Sequence, residues 1–338
     1  MIKQEMGVAP HKRHHWLRRG LFLAAIIAGS LSIGLWIMSN RQTLLDQIIA
    51  WQHPLNSAVA TVADTADLTA RSHFLLQATQ AQINDRANFN RHCTNQDESQ
   101  SIVLGCYTGQ IYVFDVSDPS VSGIKTVILA HEMLHAAYAR LPPDQKNQIN
   151  QEIRAYIPQI KNADIRAALP IYGKTEPGEE LNELHSLLGT EEANLPPSLE
   201  NYYKTYFTDR DKVVSAYAKY AAVFATLQRT QAQLSGQLKT LKTQIEQATE
   251  NYQTAVSALS SDIDAFNSCA RQAGCFAPSA FTVQRVNLAT RQQNLSAMAN
   301  AINAKISDYN NDVNQLNALG VEAQRLNSSV DSRAPALE

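Results

Sequence analysis

The pattern of apolar and polar positions begins with one long uncharged run, Leu21 to Met38. At about 1.5 Å per residue, a helix over this run would be roughly 27 Å long, close to the hydrocarbon thickness of a bilayer. The residues after it offer no convincing small-x-small cleavage site. We therefore interpret 21–38 as an uncleaved transmembrane signal anchor, with a cleaved signal peptide as the alternative.

The charges around this run predict its orientation. Residues 1–20 carry several Lys and Arg residues against the single acid Glu5, whereas only Arg41 and Asp46 follow closely after the run. Positively charged flanks stay on the cytoplasmic side. The sequence thus predicts a single-pass cell-membrane protein with a cytoplasmic basic tail, 1–20, and an extracytoplasmic main part.

The next region, 42–207, mixes helical patterns with one β-rich segment. Gln42 to Asn88 has a helical pattern with Pro54 as a break. The stretch "SIVLGCYTGQIYVFDV" is rich in β-branched and aromatic residues around a Tyr-Thr-Gly-Gln turn, which predicts a β-hairpin. Helices are expected at Val121 to Arg140 and in a later segment ending at Gly189. The predicted class is α+β and mostly α.

A heptad pattern dominates the third region. Steps of four and three residues in alternation lead from Val213 to Phe266. Of the residues reached by these steps, only Gln231 and Asp262 lack a largely apolar side chain. Such a seam is typical of a coiled-coil helix. A second helix is expected from Val283 to Leu326.

A break separates these two predicted helices, because Gly274 and Pro278 interrupt the pattern. The economical arrangement is a long antiparallel coiled-coil hairpin over 209–327, followed by a tail, 328–338. The hairpin is a candidate surface for a protein partner or for self-association.

The four cysteines fall in two local pairs, Cys93 with Cys106 and Cys269 with Cys275. In an extracytoplasmic chain such pairs predict two disulfides, with four unrelated buried thiols as the alternative. A net charge of −2, without a long basic stripe, gives no reason to expect nucleic acid as a partner.

The stretch "TVILAHEMLHAAYARL" carries the candidate chemistry, because His131 and His135 are four residues apart and share one helix face. Two such histidines can bind one Zn2+ ion while Glu132 acts as general base on a water molecule. The alternative is a chance match with surface or capping histidines. The apolar flanks of the triplet favour a buried metal helix.

A third zinc ligand is sought downstream, in "IYGKTEPGEELNELHSLLG". Glu179 and Glu183 are one helical turn apart, so one carboxylate can bind zinc while the other accepts the free N–H of a ligand histidine. Tyr172 could donate its hydroxyl to the oxyanion of a scissile carbonyl. The plain alternative is a solvated acidic face and a packed aromatic.

This combination of His-Glu-x-x-His with a downstream Tyr-x6-Glu-x3-Glu resembles the gluzincin metallopeptidases, and the segment from Tyr172 to Glu183 is similar to that of anthrax lethal factor-like peptidases. The resemblance implies a zincin-like domain, and it assigns a role to each residue that matches the motifs. It gives the zinc ligands as His131, His135 and Glu179, the general base as Glu132, the transition-state donor as Tyr172, and the partner of a ligand histidine as Glu183.

Two departures leave the third ligand open. Glu180 stands where these peptidases have an aromatic residue, and "NELHS" could place Glu183 at the zinc, as the Asn-Glu of other gluzincins does. His185 is a more distant candidate, because a residue two positions from Glu183 faces away on a helix.

The expected function is hydrolysis of peptide bonds in a peptide or protein substrate. The substrate is expected to add a strand to a sheet edge, for which Gln110 to Val116 is the candidate, with an ordinary core strand as the alternative. Two other functions stay open: a coiled-coil adaptor or surface-structure protein with a catalytically weak peptidase fold, and a cell-wall amide hydrolase.

Overall fold

The computed structural model describes residues 13–93, 103–175 and 178–333. This part of the chain is mostly helical and contains a three-stranded sheet, in agreement with the predicted α+β, mostly α class. The first twelve residues of the predicted basic tail, the last five of the predicted C-terminal tail and the start of the predicted first hairpin strand lie outside the described residues.

The chain divides into two compact units. The first consists of residues 1–115 and 124–217, and the second of residues 116–123 and 218–338. The second unit therefore takes a short loop from the middle of the chain, and this loop leads directly into the helix that carries the His-Glu-x-x-His motif.

The first unit begins with the predicted membrane helix. Helix α1, Arg13–Ser39, contains one stretch, Leu21–Ser39, that is long and apolar enough to cross a membrane, and none of that stretch is buried inside the protein. Helix α2, Arg41–Gln52, follows after Asn40, whose φ of −108° and ψ of 15° depart from helical values.

The remaining helices of the first unit are short and have recognisable start signals. The side chains of Asn56, Thr69 and Asp85 accept hydrogen bonds from backbone N–H groups at the starts of three of them. The helices are α3 Ser57–Thr65, α4 Ala70–Ala78, α5 Arg86–His92, α6 Ile124–Ala139, α7 Pro143–Tyr156, α8 Ala163–Thr175, α9 Glu180–Thr190 and α10 Pro197–Tyr203.

The sheet has the strand order β1-β3-β2, formed by β1 Gln82–Asn84, β2 Gly105–Tyr107 and β3 Ile111–Phe114. Strands β2 and β3 form the predicted antiparallel hairpin, and Gly109 in its turn has a φ of +94° that glycine adopts without strain. The expectation of helix throughout Gln42 to Asn88 is wrong at β1. This strand forms because it pairs in parallel with β3, a distant contact that local pattern does not reveal.

The proposed edge position of Gln110 to Val116 is also wrong. Strand β3 has a partner on each side and all four of its residues are buried, so it is the central strand. Strand β2 is instead a terminal strand of the sheet, and it packs against α6. The edge next to the motif helix is thus one strand earlier in the sequence than expected.

Two long helices form most of the second unit, α11 Asp211–Ala270 and α12 Pro278–Val330. Phe266 contacts Phe281 with ring centroids 5.1 Å apart, while Lys305 Nζ donates to Gln244 Oε1 at 2.7 Å. The α11 residue that is earlier in the sequence, Gln244, contacts the α12 residue that is later, Lys305. The two helices therefore run antiparallel. Both helices occur where the sequence predicts them, while coiled-coil packing between them stays a prediction.

The four cysteines form the two predicted pairs. Cys93 and Cys106 are disulfide-bonded with Cα atoms 5.8 Å apart, which ties the end of α5 to β2. Cys269 and Cys275 are disulfide-bonded with Cα atoms 5.5 Å apart, at the turn between the two long helices. The prediction of two local disulfides is confirmed.

The loop of residues 116–123 is held inside the second unit by a charge pair. The buried carboxylate of Asp118 accepts a hydrogen bond from the Arg325 guanidinium near the end of α12. The same carboxylate accepts a bond from the backbone N–H of Ser120 at 2.9 Å. The segment that precedes α6 is therefore fixed by a residue close to the C-terminus.

Candidate metal centre

Helix α6 carries the motif through the core of the first unit. Most of its residues are buried, because "TVILA" and "ML" make it apolar around its polar triplet. Helix α9 packs across it, and Gly189 permits the close approach: a Cβ atom there would lie 2.8 Å from Tyr203 Cε1 and would also collide with Leu134. This packing brings the start of α9 to the histidines of α6.

Three potential ligands meet where these two helices face each other. The Nε2 atoms of His131 and His135 are 3.0 Å apart. The carboxylate of Glu183 on α9 lies 3.3 Å from His135 Nε2 and 3.7 Å from His131 Nε2. One ligand atom from each residue lies within 4.8 Å of the other two, so His131, His135 and Glu183 could hold a metal ion.

Charges within this cluster set its protonation without a metal. Burial disfavours the charged form of His131, but the Glu183 carboxylate outweighs burial and raises the pKa of His131 to about 9. Burial and the charge of His131 lower the pKa of His135 to about 4. Although burial works against ionisation, the bond from His131 keeps the pKa of Glu183 below its ordinary value. Near neutral pH, His131 is therefore protonated and positively charged, whereas His135 is neutral.

Asn182 and Glu179 orient the ring of His135. The Oδ1 atom of Asn182 lies 3.0 Å from His135 Nδ1, and the Nδ2 atom of Asn182 donates to Glu179 Oε2 at 3.0 Å. With the amide oriented this way, Nδ1 of His135 carries the proton and Nε2 presents its lone pair to the cluster. Glu179, the third ligand favoured by the sequence, lies beside Asn182, while the carboxylate of the alternative, Glu183, lies close to both histidines.

The donor set and its spacing fit a zinc ion. Two imidazole nitrogens and one carboxylate oxygen are typical ligands of catalytic zinc, which keeps a fourth position open. Bond lengths of 2.0–2.1 Å in a tetrahedron place neighbouring ligand atoms about 3.3 Å apart. The observed separations of 3.0, 3.3 and 3.7 Å surround this value.

Strand β2 lies against the predicted general base. A Cβ atom on Gly105 would be 2.6 Å from Glu132 Oε1 and would also collide with Ile128. Only a residue without a side chain therefore fits between β2 and α6 at this level. Glu132 is 6% exposed, so its carboxylate is held at the cleft with little access to bulk water.

A cleft of about 550 Å³ opens over the cluster. Tyr172, the predicted transition-state donor, is half-buried and lines it, together with Glu132 and the three clustered residues. Glu191 also lines the cleft, and burial raises the pKa of its carboxyl to about 7. Much of the remaining wall is apolar, with side chains that include Val127, Ile128, Ile171 and Leu187.

His185 lies elsewhere. Its Nε2 atom is 2.7 Å from the Tyr202 hydroxyl, and its fully buried ring packs among tyrosines. Burial lowers the pKa of His185 to about 3, so the ring is neutral. Among the described residues it contributes no ligand atom to the metal cluster.

Three residues of this site were not predicted from the sequence. Asn182 immediately precedes Glu183 and lies three residues after Glu179, so helical spacing was the available signal for it. Gly105 is a glycine inside a strand pattern, which commonly marks close backbone approach. Glu191 had no signal, because it stands beside Glu192 in the sequence and only the fold places it at the cleft.

Comparisons with known proteins give no relative. No protein-family model matches the chain, and no curated protein and no solved structure matches it. The geometry of the site therefore carries the functional argument.

Proposed function

We propose that this protein is a zinc metallopeptidase of the gluzincin class, with a zincin-like catalytic domain and a coiled-coil hairpin. The observation that carries the proposal is the meeting of His131, His135 and Glu183 beside the Glu132 carboxylate. A binding-only zinc site has no need of such a base. A cleft open to solvent gives a substrate access to it.

In this proposal His131, His135 and Glu183 hold the zinc, and Asn182 with Glu179 fixes the ring of His135. When bound, zinc supplies a Lewis acid that polarises the scissile carbonyl and lowers the pKa of a coordinated water toward about 7. Glu183 takes the ligand role in preference to Glu179 because its carboxylate lies within 3.7 Å of both Nε2 atoms.

The other cleft residues move protons and stabilise charge. The Glu132 carboxylate accepts a proton from the attacking water and returns it to the leaving amine nitrogen. The Tyr172 hydroxyl donates to the oxyanion that develops on the carbonyl oxygen. Glu132 is suited to this because it is shielded from bulk solvent by β2.

Strand β2 is the proposed docking edge for the substrate. Leu104 bonds to Phe114 of β3, so in the antiparallel alternation Gly105 and Tyr107 turn their backbone N–H and C=O groups away from β3. An extended peptide can pair with these groups beside the cleft.

The location follows from α1 and the disulfides. We propose that α1 anchors the protein in the cell membrane with its N-terminus in the cytoplasm, and that the remainder is extracytoplasmic. The support is one apolar helix with no buried residues over Leu21–Ser39 and two disulfide-bonded cysteine pairs, which persist in oxidising compartments.

Elemental analysis of the purified full chain, combined with cleavage of an unstructured protein such as casein, tests the proposal. About one zinc per chain is expected. His135→Ala and Glu183→Ala should lose it, whereas Glu179→Ala should retain it more weakly. Glu132→Gln should keep the zinc and lose roughly 10²- to 10⁴-fold in cleavage rate.

Glu180→Gln serves as the matched control, because Glu180 lies on the same helix and its carboxylate accepts from the Gly178 N–H. It should change neither zinc content nor rate. A well-folded wild-type chain without zinc would exclude the peptidase and favour a scaffold function. Zinc with cleavage of wall fragments but not of protein would favour a cell-wall amide hydrolase.

A further inference from the structure

Helix α2 presents an exposed apolar face directly after the membrane helix. Leu45, Ile48 and Trp51 recur every three residues, so they share one face, and they are 42%, 53% and 85% exposed. Asp46 lies on the opposite face and is buried in the first unit. This face is therefore apolar, exposed and turned away from the domain.

The position of this face indicates what covers it. Only Asn40 separates α2 from the candidate membrane span, and its non-helical dihedral angles interrupt the regular helix at this residue. Arg41 at the start of α2 is exposed, and a cation there suits lipid phosphates. A tryptophan beside aliphatic residues is typical of helices that lie in the headgroup region.

We propose that α2 lies in the interface of the bilayer that α1 crosses, with Leu45, Ile48 and Trp51 inserted among the lipids. The inference rests on the membrane anchoring proposed above and not on the zinc chemistry. It assigns the lipid bilayer a second contact with the protein, distinct from the span itself.

A buried ion pair transmits this position to the metal centre. Arg140, one residue after α6, donates to both carboxylate oxygens of Asp46 at 2.8 and 2.9 Å and to the Tyr107 hydroxyl of β2 at 2.9 Å. His131 lies nine residues before Arg140, which is about 14 Å along the helix. In this proposal the cleft is therefore held close to the membrane surface.

Tryptophan fluorescence of the full chain tests the proposal. The chain contains three tryptophans, Trp16, Trp36 and Trp51. One variant, Trp16→Phe with Trp36→Phe, retains Trp51, and a second, Trp16→Phe with Trp51→Phe, retains Trp36 in the span. Both are reconstituted in phosphatidylcholine–phosphatidylglycerol vesicles, with or without bromine at the upper acyl carbons.

Bromine should quench Trp51 roughly twofold, as expected for a ring 5–10 Å deep in the interface. Leu45→Ser combined with Ile48→Ser should weaken this quenching, whereas Thr43→Ser, at an exposed position off this face, should not. Quenching of Trp36 without quenching of Trp51 would overturn the proposal. If the emission of the unquenched Trp51 were also blue-shifted, the face would be covered by protein and not by lipid. Absence of quenching at Trp36 would overturn the anchor and this proposal together, while zinc content would still report on the peptidase separately.

Discussion

Gly105 and Asn182 are two residues outside the motif that shape the candidate site. One leaves room for Glu132 by having no side chain, and the other aligns the ring of His135. Neither would bind a metal or touch a reacting atom. Substitutions of these two residues should therefore change the geometry of the site while leaving its metal ligands and reacting groups in the chain.

Gly105→Ala should lower peptide cleavage while zinc remains bound. The new methyl group would occupy space 2.6 Å from Glu132 Oε1, so the carboxylate must move, and misplacement of a catalytic group by about 1 Å can lower the rate roughly 10²-fold. Gly123→Ala is the control, because its Cβ atom meets nothing within 4 Å. Equal rates for the two variants would contradict the proposed role of Glu132.

Asn182→Ala should weaken zinc binding about 10- to 100-fold, as loss of a partner of a ligand histidine commonly does. The substitution frees the ring of His135 and leaves Glu179 without its amide donor. Competition with a chelator measures the affinity. Asn201→Ala, at an exposed position of α10, should leave the affinity unchanged, and an unchanged affinity in Asn182→Ala would argue against the assigned tautomer.

Glu191→Gln should stabilise the metal-free protein at alkaline pH only. Burial raises the pKa of Glu191 from 4.5 to about 7. A folded-state pKa above the unfolded value means that the neutral carboxyl contributes fully below pH 4.5, and that this contribution is lost as the pH rises through 7.

Thermal melting in chelator at two pH values measures this effect. At pH values well above 7, Glu191→Gln should melt higher than wild type, and below pH 4.5 the two should agree. Glu250→Gln, at an exposed position of α11, should follow wild type throughout. A melting temperature of Glu191→Gln that differs from wild type by the same amount at both pH values would contradict burial as the cause.

At the scale of the elements, the pair of Asp46 and Arg140 joins three parts of the first unit. It connects α2 to the end of the motif helix, and the same guanidinium reaches Tyr107 on β2. Burial disfavours each charge by itself, and the attraction between the two offsets that cost only while both partners are present. This contact therefore helps to hold the end of α6 against α2 and β2.

Asp46→Asn should destabilise the first unit by about 3–5 kcal/mol, because it leaves the Arg140 charge buried and unpaired. Urea unfolding of the full chain in detergent measures the free energy. Asp115→Asn breaks an exposed pair with Lys125 and should cost less than about 1 kcal/mol. Combining Asp46→Leu with Arg140→Met should recover much of the loss, and failure to do so would point to a different role for the pair.

The sequence predicts those elements whose signals are local. Helix α6, the β2–β3 hairpin and both long helices were predicted from periodicity and turn residues, and the cysteine pairs from their spacing. Strand β1 was missed because its three residues become a strand only by pairing with β3. Likewise, the choice between Glu179 and Glu183 depends on how α9 crosses α6, which Gly189 permits and no local pattern encodes.

At the scale of the whole molecule, the second unit is assembled from two separate parts of the chain. The loop 116–123 belongs with 218–338, although it is preceded and followed by residues of the first unit. The pair of Asp118 and Arg325 fastens this loop to α12. The stability of the second unit should therefore depend on a residue that lies next to the motif helix in sequence.

Asp118→Asn should destabilise the second unit by about 1–3 kcal/mol, because a hydrogen bond between charged groups at a buried carboxylate is weakened. Circular dichroism of thermal unfolding measures the change. Glu322→Gln removes the exposed second partner of Arg325 and should have little effect. Equal effects of the two substitutions would show that burial of Asp118 adds nothing to the pair.

The same pair has a consequence for biosynthesis. Arg325 is made 207 residues after Asp118, an interval of roughly 10 to 40 s at ordinary rates of translation. Because residues are made in chain order, the loop ahead of α6 is synthesised long before the arginine that pairs with Asp118. The segment that leads into α6 therefore gains this contact only after α11 and most of α12 have been made, well after the residues of α6 themselves.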